Sequence, residues 1–117
     1  MNILYLEDEP NDAALVERFV RSTPHHLTLV TTVDEAIATF TPEYDLVLVD
    51  VRIGQGRTGH EFVEMLREQG IARPIIAVTA LTLPDDMERC YQAGCNAILS
   101  KPFRIDQLAA LIDAHAS

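Results

Sequence analysis

Leu46-Val47-Leu48-Val49-Asp50 is an unbroken apolar run that ends on a carboxylate. A strand with one wet face alternates apolar and polar residues, whereas a run without alternation is expected of a strand buried on both faces. Ile3–Leu6 is a run of the same kind, and Pro74–Thr79 is a third apolar strand. Leu27–Thr31 is more polar and rich in β-branched residues, and Ala97–Ser100 makes a short fifth strand. Helical spacing fills the intervals. Asn11–Val20 follows Pro10 and places Leu15, Val16, Phe19 and Val20 on one face. Asp34–Phe40 is a short helix with Thr32 or Asp34 as its cap. Glu61–Gln69 presents Phe62, Met65 and Leu66 and is stopped by Gly70. Asp85–Ala93 is stopped by Gly94, and Ile105–His115 is a terminal amphipathic helix with Leu108, Leu111 and Ile112.

This is a strand–helix unit repeated five times, which predicts an α/β fold with a parallel sheet covered by helices on both faces. Right-handed crossovers narrow the topologies. The three most apolar strands belong in the centre, and the polar second strand belongs at an edge. The expected architecture is a doubly wound five-stranded parallel sheet of order 2-1-3-4-5, flavodoxin-like in its winding. The stretch from Val51 to Gly59 is glycine-rich and reads as a loop.

The chain has 117 residues, the length of one domain, so residues 1–117 are expected to form a single unit with no output domain. Its formal net charge of −9 disfavours direct nucleic-acid binding, which needs clustered Lys and Arg. An acidic surface suits cations and basic partner patches. No apolar run approaches the ~18 residues of a membrane span, and the N-terminus lacks a signal-peptide pattern, so a cytoplasmic setting is expected. Cys90 and Cys95 do not make a disulfide framework.

In such sheets ligands bind outside the carboxyl ends of the strands, at the point where the winding reverses. This sequence puts Glu7, Asp8 and Glu9 after the first strand, Asp50 after the third, Thr79 after the fourth and Lys101 after the fifth. Carboxylates packed together repel unless something cancels their charge, and a hard cation such as Mg²⁺, which prefers oxygen ligands, does so. Glu7, Asp8 and Asp50, with a loop carbonyl, could supply the protein's share. The competing reading is a set of solvated acids capping the first helix, and for Glu9 that reading is preferred. Asp50, at the floor of the pocket, can act as a nucleophile in aspartyl-phosphate chemistry. A hydroxyl (Thr79) and an ammonium (Lys101) beside it would stabilise the charge on a transferred phosphoryl group. Taken singly, a strand-end Thr and a lone Lys are commonly structural or solvated. Their value lies in falling at successive strand ends with the acids.

Four segments, Ile3-Leu4-Tyr5-Leu6-Glu7-Asp8-Glu9-Pro10, Leu46-Val47-Leu48-Val49-Asp50, Ile75-Ile76-Ala77-Val78-Thr79-Ala80, and Ala93-Gly94-Cys95-Asn96-Ala97 leading to Ser100-Lys101-Pro102-Phe103, carry a resemblance. The chain resembles the receiver domain of two-component response regulators over essentially its whole length. The resemblance implies that Asp50 is the phospho-acceptor and that Glu7 and Asp8 are the acidic pair for Mg²⁺ (or Mn²⁺). It implies that the Arg52 backbone carbonyl is a further metal ligand, Thr79 the switch hydroxyl and Lys101 the phosphate contact. It also implies a cis bond between Lys101 and Pro102. The donor would be a histidine kinase or a histidine phosphotransfer protein. A downstream protein, or a second copy in a homodimer, would use the face formed by the fourth helix, fifth strand and last helix.

The chain departs from that pattern in three places. Ile53-Gly54 replaces the usual Met-Pro after the acceptor, in a loop one residue longer. Arg52 and Leu81, each two residues past a site residue, occupy positions that tune phosphoryl lifetime in the family. Ile98 stands where a switching aromatic usually stands, and Tyr91 on the fourth helix is read as packing or surface rather than a substitute. Cys90 and Cys95 are read as buried or idle thiols, and His25, His26, His60 and His115 as surface residues. A hydrolytic phosphatase using Asp50 is disfavoured, because the chain carries no obvious second acid beside Asp50 to serve as a general acid and no cap domain, and two other readings compete with the phospho-acceptor. One is an unphosphorylated pseudo-receiver that only binds protein. The other is a flavodoxin-like cofactor module, which Glu7-Asp8-Glu9-Pro10-Asn11-Asp12 disfavours because that loop would repel a phosphate.

Overall fold

In the computed structural model, which describes residues 1–53, 58–80 and 82–115, the unalternating runs become strands. In chain order the elements are β1 (Asn2–Leu6), α1 (Pro10–Arg21), β2 (His26–Val30), α2 (Val33–Thr39), β3 (Leu46–Val49), α3 (Gly59–Glu68), β4 (Ile75–Thr79), α4 (Pro84–Ala93), β5 (Ala97–Ser100) and α5 (Ile105–His115). The strands form one sheet of order β2-β1-β3-β4-β5, parallel throughout. The polar strand β2 lies at one edge, as its composition requires.

Successive residues of a strand point to opposite faces, so an all-apolar strand feeds two cores. Leu4, Leu6, Val47, Val49, Ile75 and Ala77 face one side, where they pack with Ala36, Phe62, Val63, Leu66, Cys90 and Ala93 from α2, α3 and α4. Ile3, Tyr5, Leu46, Leu48, Ile76 and Val78 face the other, with Val16 and Val20 of α1 and Leu108 and Ile112 of α5. Two helices therefore cover one face and three the other.

Four of the five helices start one or two residues earlier than the sequence expectation, and for α2 and α3 the caps explain why. The Thr32 hydroxyl accepts from the Glu35 amide at 3.0 Å, so Thr32 rather than Asp34 caps α2. Thr58 accepts from the Glu61 amide at 3.3 Å, which starts α3 at Gly59 rather than Glu61. Glu9 caps α1 by accepting from the Asp12 amide at 2.8 Å, as expected of it.

Gly59 packs against the end of β3. A Cβ there would lie 2.5 Å from the Asp50 carbonyl oxygen and 2.6 Å from the Val51 Cα. Backbone cannot yield as a flexible side chain can. Gly59→Ala is therefore expected to lose about 2 kcal/mol of stability, read as a lower urea midpoint.

Candidate functional site

Parallel pairing carries the chemistry-bearing residues to one place. Leu6 pairs with both Val30 and Val49, so the chain leaves β1 and β3 at the same level. The hydrogen-bond ladder continues past the strands. The Glu7 amide donates to the Val30 carbonyl at 3.0 Å, the Asp50 amide to the Leu6 carbonyl at 2.9 Å, and the Lys101 amide to the Thr79 carbonyl at 2.9 Å. Glu7, Asp50, Thr79 and Lys101 thus hang from four adjacent strands whose backbones are tied together. The Lys101–Pro102 peptide is cis, as the resemblance implies.

Glu7 and Thr79 are completely buried, Asp50 nearly so, and Asp8 is exposed. Carboxylate oxygens of Glu7, Asp8 and Asp50 lie within 4.8 Å of one another. The Lys101 ammonium reaches into this group, pairing with Glu7 Oε1, with Asp50 Oδ2 at 3.0 Å and with Asp12 Oδ2 at 3.0 Å. The Arg52 amide donates to Asp50 Oδ1 at 2.9 Å. The Tyr5 hydroxyl donates to Glu7 Oε1 at 3.0 Å, and the Glu9 amide to Glu7 Oε2 at 3.3 Å.

Charge is not balanced here. Glu7, Asp12 and Asp50 share one ammonium, and Asp8 adds a fourth acid to the group. Burial first, then the neighbouring Asp50 carboxylate, pushes the Glu7 carboxyl up to about 7, although Lys101 pulls it down. Burial opposes the charge on Lys101, but its bonds to Glu7, Asp12 and Asp50 outweigh that and hold its pKa above the ordinary range. Burial, with the Glu7 charge, likewise pushes the Tyr5 hydroxyl up, so Tyr5 stays a donor. An all-oxygen donor set with surplus negative charge fits a hard divalent cation. A flavin or nucleotide phosphate would meet the same acids.

The structure brings together Glu7, Asp8, Asp50 and Lys101, ends β4 on the buried Thr79 whose carbonyl accepts from the Lys101 amide, and places Arg52 beside Asp50 with its side chain exposed. Two members of the cluster were not singled out from sequence. Asp12 sits in the first turn of α1, one helical turn beyond Asp8, which was a usable signal once α1 was known to start at the carboxyl edge of β1. Tyr5 is a polar-tipped residue inside a buried strand, and such a hydroxyl needs a partner.

The remaining sequence expectations fall away from the pocket. Cys90 and Cys95 are buried and free, and burial holds both thiols above their ordinary pKa. His26 is exposed, whereas His25, His60 and His115 are half-buried rather than fully on the surface. His25 meets the terminal amine, His60 lies 3.6 Å from Cys90 Sγ, and His115 meets the Leu111 carbonyl. Ile98 pairs with Ala77 and packs partly buried against the first core, while Tyr91 is half exposed on α4. Leu81, and Gly54 with the rest of the extended loop at 54–57, lie outside the described residues. Among the described residues, no helix is long and apolar enough to cross a membrane.

Comparison with known proteins agrees with this architecture. The sequence pattern of the response regulator receiver domain matches residues 3–113. The transcriptional regulatory protein TcrA of Mycobacterium tuberculosis is 32% identical over 115 residues, which are 97% of this chain and 45% of TcrA. The sensor histidine kinase RcsC of Escherichia coli is 26% identical over 99% of this chain, but only 12% of the kinase is covered. The chain thus spans less than half of the length of these curated relatives. Among solved structures, the receiver domain of the sensor histidine kinase PA1611 from Pseudomonas aeruginosa, with a magnesium ion coordinated in its active site cleft, superposes with a TM-score of 0.87. It is 33% identical, and the match covers 99% of this chain and 98% of that one. The non-phosphorylated HemR receiver domain from Leptospira biflexa shares the fold at a TM-score of 0.90 and 22% identity, covering 99% and 94% of the two chains. Over nearly its whole length, then, this chain belongs to the response regulator receiver domain family.

Proposed function

We propose that the chain is a phospho-acceptor in two-component or phosphorelay signalling, with Asp50 as the residue modified. The observation that carries this reading is the convergence on Asp50: a nearly buried carboxylate with an ammonium at 3.0 Å and two further acids grouped around it. In this reading Glu7, Asp8, Asp50 and the Arg52 carbonyl hold Mg²⁺ (or Mn²⁺). The bound cation supplies neutralising charge for the acids and for the incoming phosphoryl group. A magnesium-bearing receiver at 33% identity supports that assignment.

The chain's own residues perform the rest. An Asp50 carboxylate oxygen attacks phosphorus, the phosphorus–nitrogen bond of a phosphohistidine breaks, and its electron pair stays with the imidazole. The Arg52 amide, bonded to Asp50 Oδ1, leaves the carboxylate one preferred orientation. Lys101 then turns from the carboxylates toward the equatorial phosphoryl oxygens, where charge is spread, and the Thr79 hydroxyl donates to one of them. Donors are histidine kinases or histidine phosphotransfer proteins. Downstream, the face of α4, β5 and α5, which exposes Leu83, Met87 and Tyr91, would contact a partner protein or a second copy. A cytoplasmic setting and a single receiver unit without direct nucleic-acid contact belong to the same reading.

Intact-mass spectrometry after incubation with Mg²⁺ and a small phosphodonor tests it. One phosphoryl adduct is expected, dependent on Mg²⁺ and lost in Asp50→Ala. Failure to form an adduct, together with failure of beryllofluoride to change the protein's conformation, would sink the phospho-acceptor and leave a protein-binding pseudo-receiver.

A further inference from the structure

Lys101 Nζ has three N–H donors, and all three meet carboxylates: Glu7, Asp50 and Asp12. Two of these acids belong to the cluster proposed to hold the cation, and Asp12 does not. A divalent ion bound by Glu7, Asp8 and Asp50 competes with Lys101 for two of its three carboxylate partners and repels its charge. Asp12 is the one partner of the ammonium for which the ion does not compete. Its own placement is firm, because its amide donates to Glu9 at 2.8 Å in the first turn of α1. Lys101 is only 13% exposed, so release of its ammonium would register as a gain in accessibility.

We infer that Asp12 is a positioning residue that holds Lys101 in the pocket when the cation is bound, and so keeps its ammonium available to a phosphoryl oxygen. This rests on the phospho-acceptor reading of the same site. Without Asp12, cation binding releases Lys101 and the later contact must be rebuilt from a mobile side chain. Asp12 touches no reacting atom in this account and acts only through Lys101.

The sequence makes the test clean, because Lys101 is the sole lysine. Acylation by an amine-directed reagent, located by peptide mapping, reports Lys101 accessibility with the terminal amine as internal standard. With saturating Mg²⁺, Asp12→Asn is expected to label at Lys101 about fivefold faster than the native protein, and Asp12→Glu to restore slow labelling. Without Mg²⁺ the difference shrinks, since Glu7 and Asp50 still hold the ammonium. The phosphoryl adduct should form more slowly in Asp12→Asn, in proportion. Equal labelling of native and Asp12→Asn proteins in Mg²⁺, while the native protein still takes its adduct, overturns the role of Asp12 alone. Absence of both Mg²⁺ binding and adduct in the native protein overturns the parent reading, and this inference with it.

Discussion

Glu7→Gln is expected to make the metal-free protein more stable at pH 8, raising its melting temperature by roughly 10 °C. Removing a charged side chain from a salt bridge usually does the opposite. Here the acid is fully buried, and its pKa rises from an ordinary 4.5 to about 7. Below pH 4.5 the group is protonated in both folded and unfolded chains, so it contributes no difference. Between 4.5 and 7 the folded chain keeps a proton that the unfolded chain has released, so stability falls as pH rises. Above 7 the whole penalty, on the order of 3 kcal/mol, is present. Glutamine keeps an acceptor for Tyr5 and Lys101 but carries no charge. The gain should therefore be absent at pH 4.5 and grow toward pH 8. Mg²⁺ should stabilise the native protein at pH 8 by relieving the same penalty, and should do so much less for the variant. Thermal melts at both pH values, with and without Mg²⁺, decide it. A variant less stable than native at pH 8 would mean that the Lys101 bond outweighs burial and that Glu7 is a structural acid.

Arg67→Met is expected to cost about 3 kcal/mol, although Arg67 lies outside the pocket. Its guanidinium uses all five donors. Nε and Nη2 reach the Gly94 carbonyl at 3.0 and 2.9 Å, Nη1 reaches the Ile71 and Arg73 carbonyls at 2.8 and 2.9 Å, and Nη2 also reaches Asn96 Oδ1 at 2.8 Å. Asn96 in turn accepts from the Ile75 amide at 2.8 Å. One side chain thus joins the end of α3, the entry to β4 and the turn between α4 and β5. That turn is tight: the Cys95 amide bonds the Cys90 carbonyl, and Gly94 sits at φ 122°. Methionine would fill much of the space but leave several carbonyls unpaired. Lysine should not rescue, because an ammonium offers three donors from one point and cannot reproduce the fork. Urea denaturation of native, Met and Lys proteins measures this. A lysine variant as stable as native would show that charge, and not the planar fork, is what holds the turn.

The fold was largely legible because its signal is local and periodic. Leu46–Val49 without alternation, glycines at 70 and 94, and five strand–helix units leave few ways to wind the chain. Glu7, Asp8, Asp50, Thr79 and Lys101 could be named for the same reason, since each lies at or within two residues of the carboxyl end of a strand. The helix starts were less legible. Thr32 and Asp34 both suit a cap, and only backbone direction selects Thr32.

The sequence by itself determined the order of elements, the polar edge strand and the set of strand-end residues. These follow from side-chain period and polarity, which a chain carries whether folded or not. Tertiary structure alone decided how those residues share their bonds. The ladder past Leu6 and Val49 sets Glu7 and Asp50 side by side, and only then does burial raise the Glu7 carboxyl. Asp12 meets Lys101 across 89 positions of sequence because α1 begins, and β5 ends, at the carboxyl edge of the sheet. Arg67 finds Gly94 because α3 and α4 pack as neighbours. Such pairings depend on distance and desolvation, and neither quantity exists until the sheet has closed the space between the strands.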